Sequence, residues 1–108
     1  MTERQIQREI VAFLRQIGCS VWDTSQGYRR DPGGTRMTPG LPDLYVIEGP
    51  QSWTWVEVKG EKGKLSPAQQ VFADECRKAD IPWELWRSVD DAWKWAVEVG
   101  IVVPATSP

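Results

Sequence analysis

The run PDLYVIEGPQSWTWVEVKG, from Pro42 to Gly60, constrains this chain more than any other stretch. PDLYVIE reads as one strand and WTWVEVKG as a second, since both are rich in the β-branched and aromatic residues that favour sheets. GPQS between them has turn composition, so the two arms form a hairpin. TERQIQREIVAFLRQIG precedes it and spaces Ile6, Ile10, Phe13, Leu14 and Ile17 along one helical face. Thr2 suits the N-cap of that helix and Gly18 the position after its end. CSVWDT reads as a short strand, and the Gly-, Pro- and Arg-rich residues from Ser25 to Gly40 read as a long loop. Loops of that length are usually functional or disordered.

After the hairpin, EKGKL is a basic connection. Ser66 opens a second helix, with Pro67 at its first position and Gln69 completing an S-x-x-Q capping box. Ala68, Phe72, Cys76 and Ala79 form its expected apolar face. PWELW reads as a fourth strand, and Ser88 or Asp90 caps a third helix with Ala92, Trp93, Ala96 and Val97 inward. The order helix, strand, strand, strand, helix, strand, helix around a central hairpin implies an α/β layer structure, a mixed sheet covered by helices. The 108 residues are one domain's worth, so a single domain is expected over 1–108, with 104–108 a loose tail.

Several function classes are excluded at this level. No basic segment leads into a long apolar run, which argues against secretion and membrane spanning and for the cytoplasm. Cys19 and Cys76 are more simply buried small side chains than a disulfide. With no histidine in the chain, His-based zinc sites, Ser-His and Cys-His nucleophiles and His general bases are all absent. The net charge of -2 argues mildly against nucleic acid, although only a contacting face must be positive. Most of the seven tryptophans belong to the core by their spacing; base stacking by one of them remains open.

Against this background Asp43, Glu57 and Lys59 stand out. Glu57 and Lys59 point to the same face of their strand, because side chains alternate with period two. The hairpin can bring Asp43 beside Glu57. Two adjacent carboxylates need a cation between them, and oxygen ligands without His or Cys favour Mg²⁺ or Mn²⁺. Such an ion activates water and a scissile phosphate, and a lysine on the same face can orient or deprotonate that water or stabilise developing charge. An E-x-K pair by itself is usually a solvated face with a weak ion pair, and the trio leaves both readings open.

GLPDLYVIE followed by VEVKGEKGKLSPAQ resembles the PD-(D/E)xK nuclease superfamily, and within it the VRR-NUC branch in its small stand-alone, phage-type form. The opening helix is similar too, and the resemblance runs from Glu3 to about Trp86. It implies a restriction-endonuclease-like α-β-β-β-α-β core with a further C-terminal helix. It makes Asp43 and Glu57 metal ligands with the Val58 carbonyl, Lys59 the catalytic lysine, and Gln69 a residue beside the active site. It matches Glu3 to the acidic residue of the first helix, a further candidate ligand. Gln69 is also placed to cap its helix, and one side chain is not expected to do both fully. Glu3 heads the inward stripe of its helix, unless that first turn is exposed.

Tyr28, Arg29, Arg30 and Arg36 precede Asp43, and Lys62 and Lys64 follow Lys59. Arginines among glycines suit phosphate contacts, so these six are the candidate DNA-binding residues, an ordinary solvated loop being the other reading. The resemblance implies an Mg²⁺- or Mn²⁺-dependent endonuclease acting on branched DNA such as four-way (Holliday) junctions. Other readings are a nuclease on ordinary duplex or flap DNA, or a non-catalytic DNA-binding or scaffold module. Symmetric nicking of a junction by so small a domain calls for a homodimer, and tryptophan-rich segments near Trp53, Trp83 and Trp93 offer surface for one.

Overall fold

The first helix, α1 (Glu3–Gln16), forms where the apolar spacing predicts it. Thr2 caps it as expected, and Gln5 returns the bond to complete a capping box. Ile6, Ile10 and Leu14 are buried along its inner face, with Phe13 and Ile17 packed at the margin. Gly18 then turns the chain at φ +96°, a conformation that glycine adopts without strain. In a computed structural model of the chain, residues 1–24 and 38–104 are described. The remaining elements are β1 (Ser20–Asp23), β2 (Leu44–Gly49), β3 (Ser52–Val58), α2 (Pro67–Lys78), β4 (Trp83–Trp86) and α3 (Val89–Glu98). This is the predicted order.

The strands form one sheet in the order β1-β2-β3-β4. The first two pairings are antiparallel, and β3 and β4 run parallel, joined through α2 as a parallel pair requires. One face of the sheet carries Val21, Leu44, Val46, Val56, Val58 and Trp86, which pack with α1 and α3 into the main core. Alternation along β2 and β3 sends Tyr45, Trp55 and Glu57 to the other face. There α2 lies over β3, with the Phe72 ring edge-on to Trp55 at 5.4 Å between centroids. Tyr45 follows at 4.7 Å from Trp55. On the same face Trp22 of β1, Ile47 of β2 and Trp53 near the start of β3 are exposed.

Three expectations about individual side chains need correction. Trp93 is exposed and Trp95 is buried against Trp86; the two flank the Ala92 and Ala96 stripe at equal angles on opposite sides, and it is the Trp95 side that meets the Trp86 ring. Ala79 is the exposed C-cap of α2, where the chain leaves the helix, and Ala73 takes a buried place beside Cys76. Asp43 lies just before β2 rather than in it. Ser88, not Asp90, caps α3. Both cysteines are buried and free. The expected tail falls largely on residues 105–108, which lie outside the described residues.

Candidate active site

Asp43 and Glu57 face each other across the open end of the hairpin. The register pairs Leu44 with Val56, so one further step along both strands sets Asp43 opposite Glu57, and directly opposed residues share a face. The Val58 N–H donates to Asp43 Oδ2 at 2.8 Å, which ties the carboxylate to the end of β3. From the other side Thr24, at the end of β1, holds the backbone of the motif. Its N–H donates to the Asp43 carbonyl at 2.8 Å, and its hydroxyl donates to the carbonyls of Pro42 and Asp43. Gly40 explains the glycine that precedes this proline-aspartate pair. It has φ +88°, and a Cβ there would lie 2.4 Å from the Ala68 carbonyl oxygen. Only glycine lets the segment press against the first turn of α2.

That first turn delivers Gln69. Its Oε1 accepts from the Ser66 N–H at 2.8 Å, completing the capping box. Its Nε2 donates to Glu57 Oε1 at 3.1 Å. The two ends of one amide thus serve helix and site together, contrary to the expectation that the residue would have to choose. Lys59 Nζ lies 3.9 Å from the same Glu57 oxygen, and both side chains are largely shielded from solvent.

Glu57 is 1 % exposed, and its Oε2 finds no hydrogen-bond donor among the described residues. Burial pushes its carboxyl up to about 9, helped by contact with Asp43 and the Asp43 charge and opposed by Lys59. A buried charge without compensation is costly, so without a cation Glu57 keeps its proton. An unsatisfied buried oxygen, a second carboxylate opposite and a lysine alongside form a donor set that a small divalent cation fits, since the cation would replace the proton and pair both carboxylates.

The other sequence candidates fall at different distances. Val58 is buried at the end of β3, between Glu57 and Lys59. Glu3 is exposed on the first turn of α1 and reaches Glu57 only through its charge, which adds slightly to the upward push. Accordingly, no group of three or more His, Cys, Asp or Glu residues is placed to share an ion among the described residues. Lys62 and Lys64 are exposed on the segment that follows Lys59. Tyr28, Arg29, Arg30 and Arg36 lie outside the described residues. Sequence reasoning missed Thr24 and Arg87, whose side chains act on backbone carbonyls. No spacing rule signals such contacts, because they depend on where distant loops meet.

No helix among the described residues is long and apolar enough to cross a membrane. The sequence model of one family, the VRR-NUC domain, matches residues 30–90. Those residues take in β2, β3, α2, β4 and the side chains of Asp43, Glu57, Lys59 and Gln69. No match was found among curated proteins or among solved structures.

Proposed function

The chain belongs to the VRR-NUC domain family, a family of PD-(D/E)xK-type nucleases, and from that premise we propose that it is a divalent-metal-dependent endonuclease that cuts branched DNA, four-way junctions foremost. The observation that carries the reading is the buried Glu57, opposed by Asp43, with one carboxylate oxygen lacking any donor among the described residues.

Asp43 and Glu57 would hold Mg²⁺ or Mn²⁺, with the Val58 carbonyl as a further oxygen and Glu3 contributing at most through its charge. When bound, such an ion polarises a phosphate oxygen and acidifies a water molecule. Gln69 fixes the rotamer of Glu57 through its 3.1 Å bond. Lys59, 3.9 Å from Glu57, would orient the attacking water or stabilise charge developing on the phosphate. Lys62 and Lys64, together with Tyr28, Arg29, Arg30 and Arg36, would grip the DNA backbone, which suits a chain of net charge -2 whose basic residues must be concentrated locally. Two strands of a junction need two sites at fixed spacing, so the active form would be a homodimer.

The test is a cleavage panel of duplex, flap, splayed-arm and four-way junction DNA with Mg²⁺, with Mn²⁺ and with excess chelator. Preferential metal-dependent cutting of the junction is expected, and none by Asp43→Ala or Glu57→Ala. Full activity in chelator sinks the metal assignment. DNA binding without cleavage by the wild-type chain under every condition would favour a scaffold module.

A further inference from the structure

Lys59 is the last residue of the β3 side still tied to β4, its N–H donating to the Trp86 carbonyl at 3.0 Å. The chain then turns back, closed by the Gly63 N–H donating to the Gly60 carbonyl at 3.1 Å. The turn lies over the lysine's own stem: a Cβ built on Gly63 would meet Lys59 Cβ at 3.3 Å and Lys59 Cδ at 3.4 Å. A lysine stem is flexible and its ammonium a mobile point charge, so the position of Lys59 Nζ depends on what holds this turn.

Arg87, immediately after β4, holds it. A single guanidinium nitrogen, Nη1, donates to the carbonyls of Gly60 at 2.7 Å, Glu61 at 3.3 Å and Gly63 at 2.7 Å. Three peptide oxygens aimed at one point repel one another unless a cation sits between them. The arginine is itself anchored: its backbone N–H donates to Asp91 Oδ2 at 2.8 Å, on the first turn of α3. A connected path therefore runs from α3 through Arg87 to the turn at residues 60–63, which closes beside the stem of Lys59.

We propose that Arg87 is a positioning residue for the cleavage reaction: its guanidinium clamps the 60–63 turn over the Lys59 stem and so keeps the Lys59 ammonium directed at Glu57. This rests on the nuclease reading above. Arg87 makes no described contact with Asp43 or Glu57 and acts through Lys59 alone. Lys62 and Lys64 keep their charge whether or not the clamp is present, so loss of Arg87 should impair turnover far more than DNA capture.

The experiment compares wild type, Arg87→Ala and Arg87→Lys on one junction substrate, with amide hydrogen exchange followed on the same proteins without DNA. For Arg87→Ala, kcat should fall about 10- to 100-fold, the scale of a misplaced catalytic group, with KM nearly unchanged. Sub-denaturing guanidinium chloride should restore part of kcat, and sodium chloride at equal ionic strength should not. Arg87→Lys should lie between, since an ammonium can meet some of the carbonyls without the fixed fork. Exchange should quicken at the amides of residues 61–64 and stay slow in β3 and β4. Wild-type turnover in Arg87→Ala overturns the proposal, as does a loss that guanidinium cannot relieve and that accompanies faster exchange throughout β3 and β4. If the wild-type chain cuts no DNA, the nuclease reading fails by itself. Exchange at the turn then decides the clamp, quickened by Arg87→Ala if it exists and unchanged if it does not.

Discussion

Gln69 Nε2 donates to Glu57 Oε1 at 3.1 Å while Gln69 Oε1 accepts from the Ser66 N–H at 2.8 Å, so the capping of α2 and the orientation of the buried carboxylate share one side chain. The two roles separate by mutation. Ser66→Ala removes the hydroxyl that caps the Gln69 N–H and should cost about 1 kcal/mol of stability, with cleavage preserved. Gln69→Leu should cost a similar amount and also lower metal affinity or turnover by about 10- to 100-fold, as loss of a residue supporting a ligand does. Urea midpoints beside cleavage rates check this; equal rates for the two variants would mean that Gln69 only caps.

Glu57 makes the metal-free protein sensitive to base. Burial, with Asp43 second, raises its carboxyl from 4.5 to about 9. Between those values the folded chain holds a proton that the unfolded chain has released. The contribution to stability is therefore complete below about 4.5 and is lost as pH rises toward 9. In chelator, wild type should lose stability between about pH 6 and about pH 8.5, inside the window of that shift, relative to Glu57→Gln, which has no proton to lose. Added Mg²⁺ or Mn²⁺ should raise the melting temperature of wild type more at the higher pH, because binding must displace that proton. Parallel pH profiles for the two proteins would contradict the raised carboxyl.

Lys59→Ala should separate binding from turnover. The ammonium lies 3.9 Å from Glu57 and is no metal ligand, so the variant should still show a metal-induced thermal shift. Cleavage should fall by about 10²- to 10⁴-fold, the range for a lost proton-transfer or charge-stabilising group. A wild-type cleavage rate would make the lysine structural.

Two glycines with left-handed φ give a comparison of magnitudes. Gly18 has φ +96° and open space around a built Cβ, whereas Gly40 has φ +88° and backbone 2.4 Å away. Gly18→Ala therefore carries conformational strain alone, about 1–2 kcal/mol. Gly40→Ala adds a clash with the Ala68 carbonyl and must push α2 from the Asp43 segment, so it should be the more destabilising and should lower cleavage as well. Chemical denaturation and single-turnover rates test the order; Gly18→Ala proving worse on both would refute the close approach.

Much of this was legible in the chain because local rules and tertiary structure agree. The capping box at Ser66, the α1 stripe and the two-residue period that joins Glu57 to Lys59 all follow from spacing. The facing of Asp43 and Glu57 follows once the hairpin is paired. What was not legible depends on meetings between distant segments. Arg87 on the loop carbonyls, Thr24 on the Asp43 carbonyl and Gly40 on Ala68 leave no periodic trace. Trp95 rather than Trp93 turns inward because the two flank the Ala92 and Ala96 stripe at equal angles, and only the Trp86 ring on β4, distant in the local pattern, decides between them.

The last prediction concerns assembly. The sheet exposes Trp22 at 64 %, Ile47 at 37 % and Trp53 at 39 %, side chains that alternation places on one face. Grouped aromatic and aliphatic side chains resemble the centre of a protein interface more than an ordinary surface, and a two-fold arrangement would pair the patch with itself. The face is the one that carries Glu57, so a dimer joined there would hold two sites at fixed separation. Sedimentation at micromolar concentration should give a dimer for wild type and a monomer for Trp22→Ser combined with Trp53→Ser. Neither tryptophan belongs to the described core, so the variant should keep its fold by circular dichroism. Its junction cleavage should change from paired nicks to single, uncoordinated ones. A wild-type chain that sediments as a monomer, or a variant that remains a dimer, would mean that this face does not join two chains.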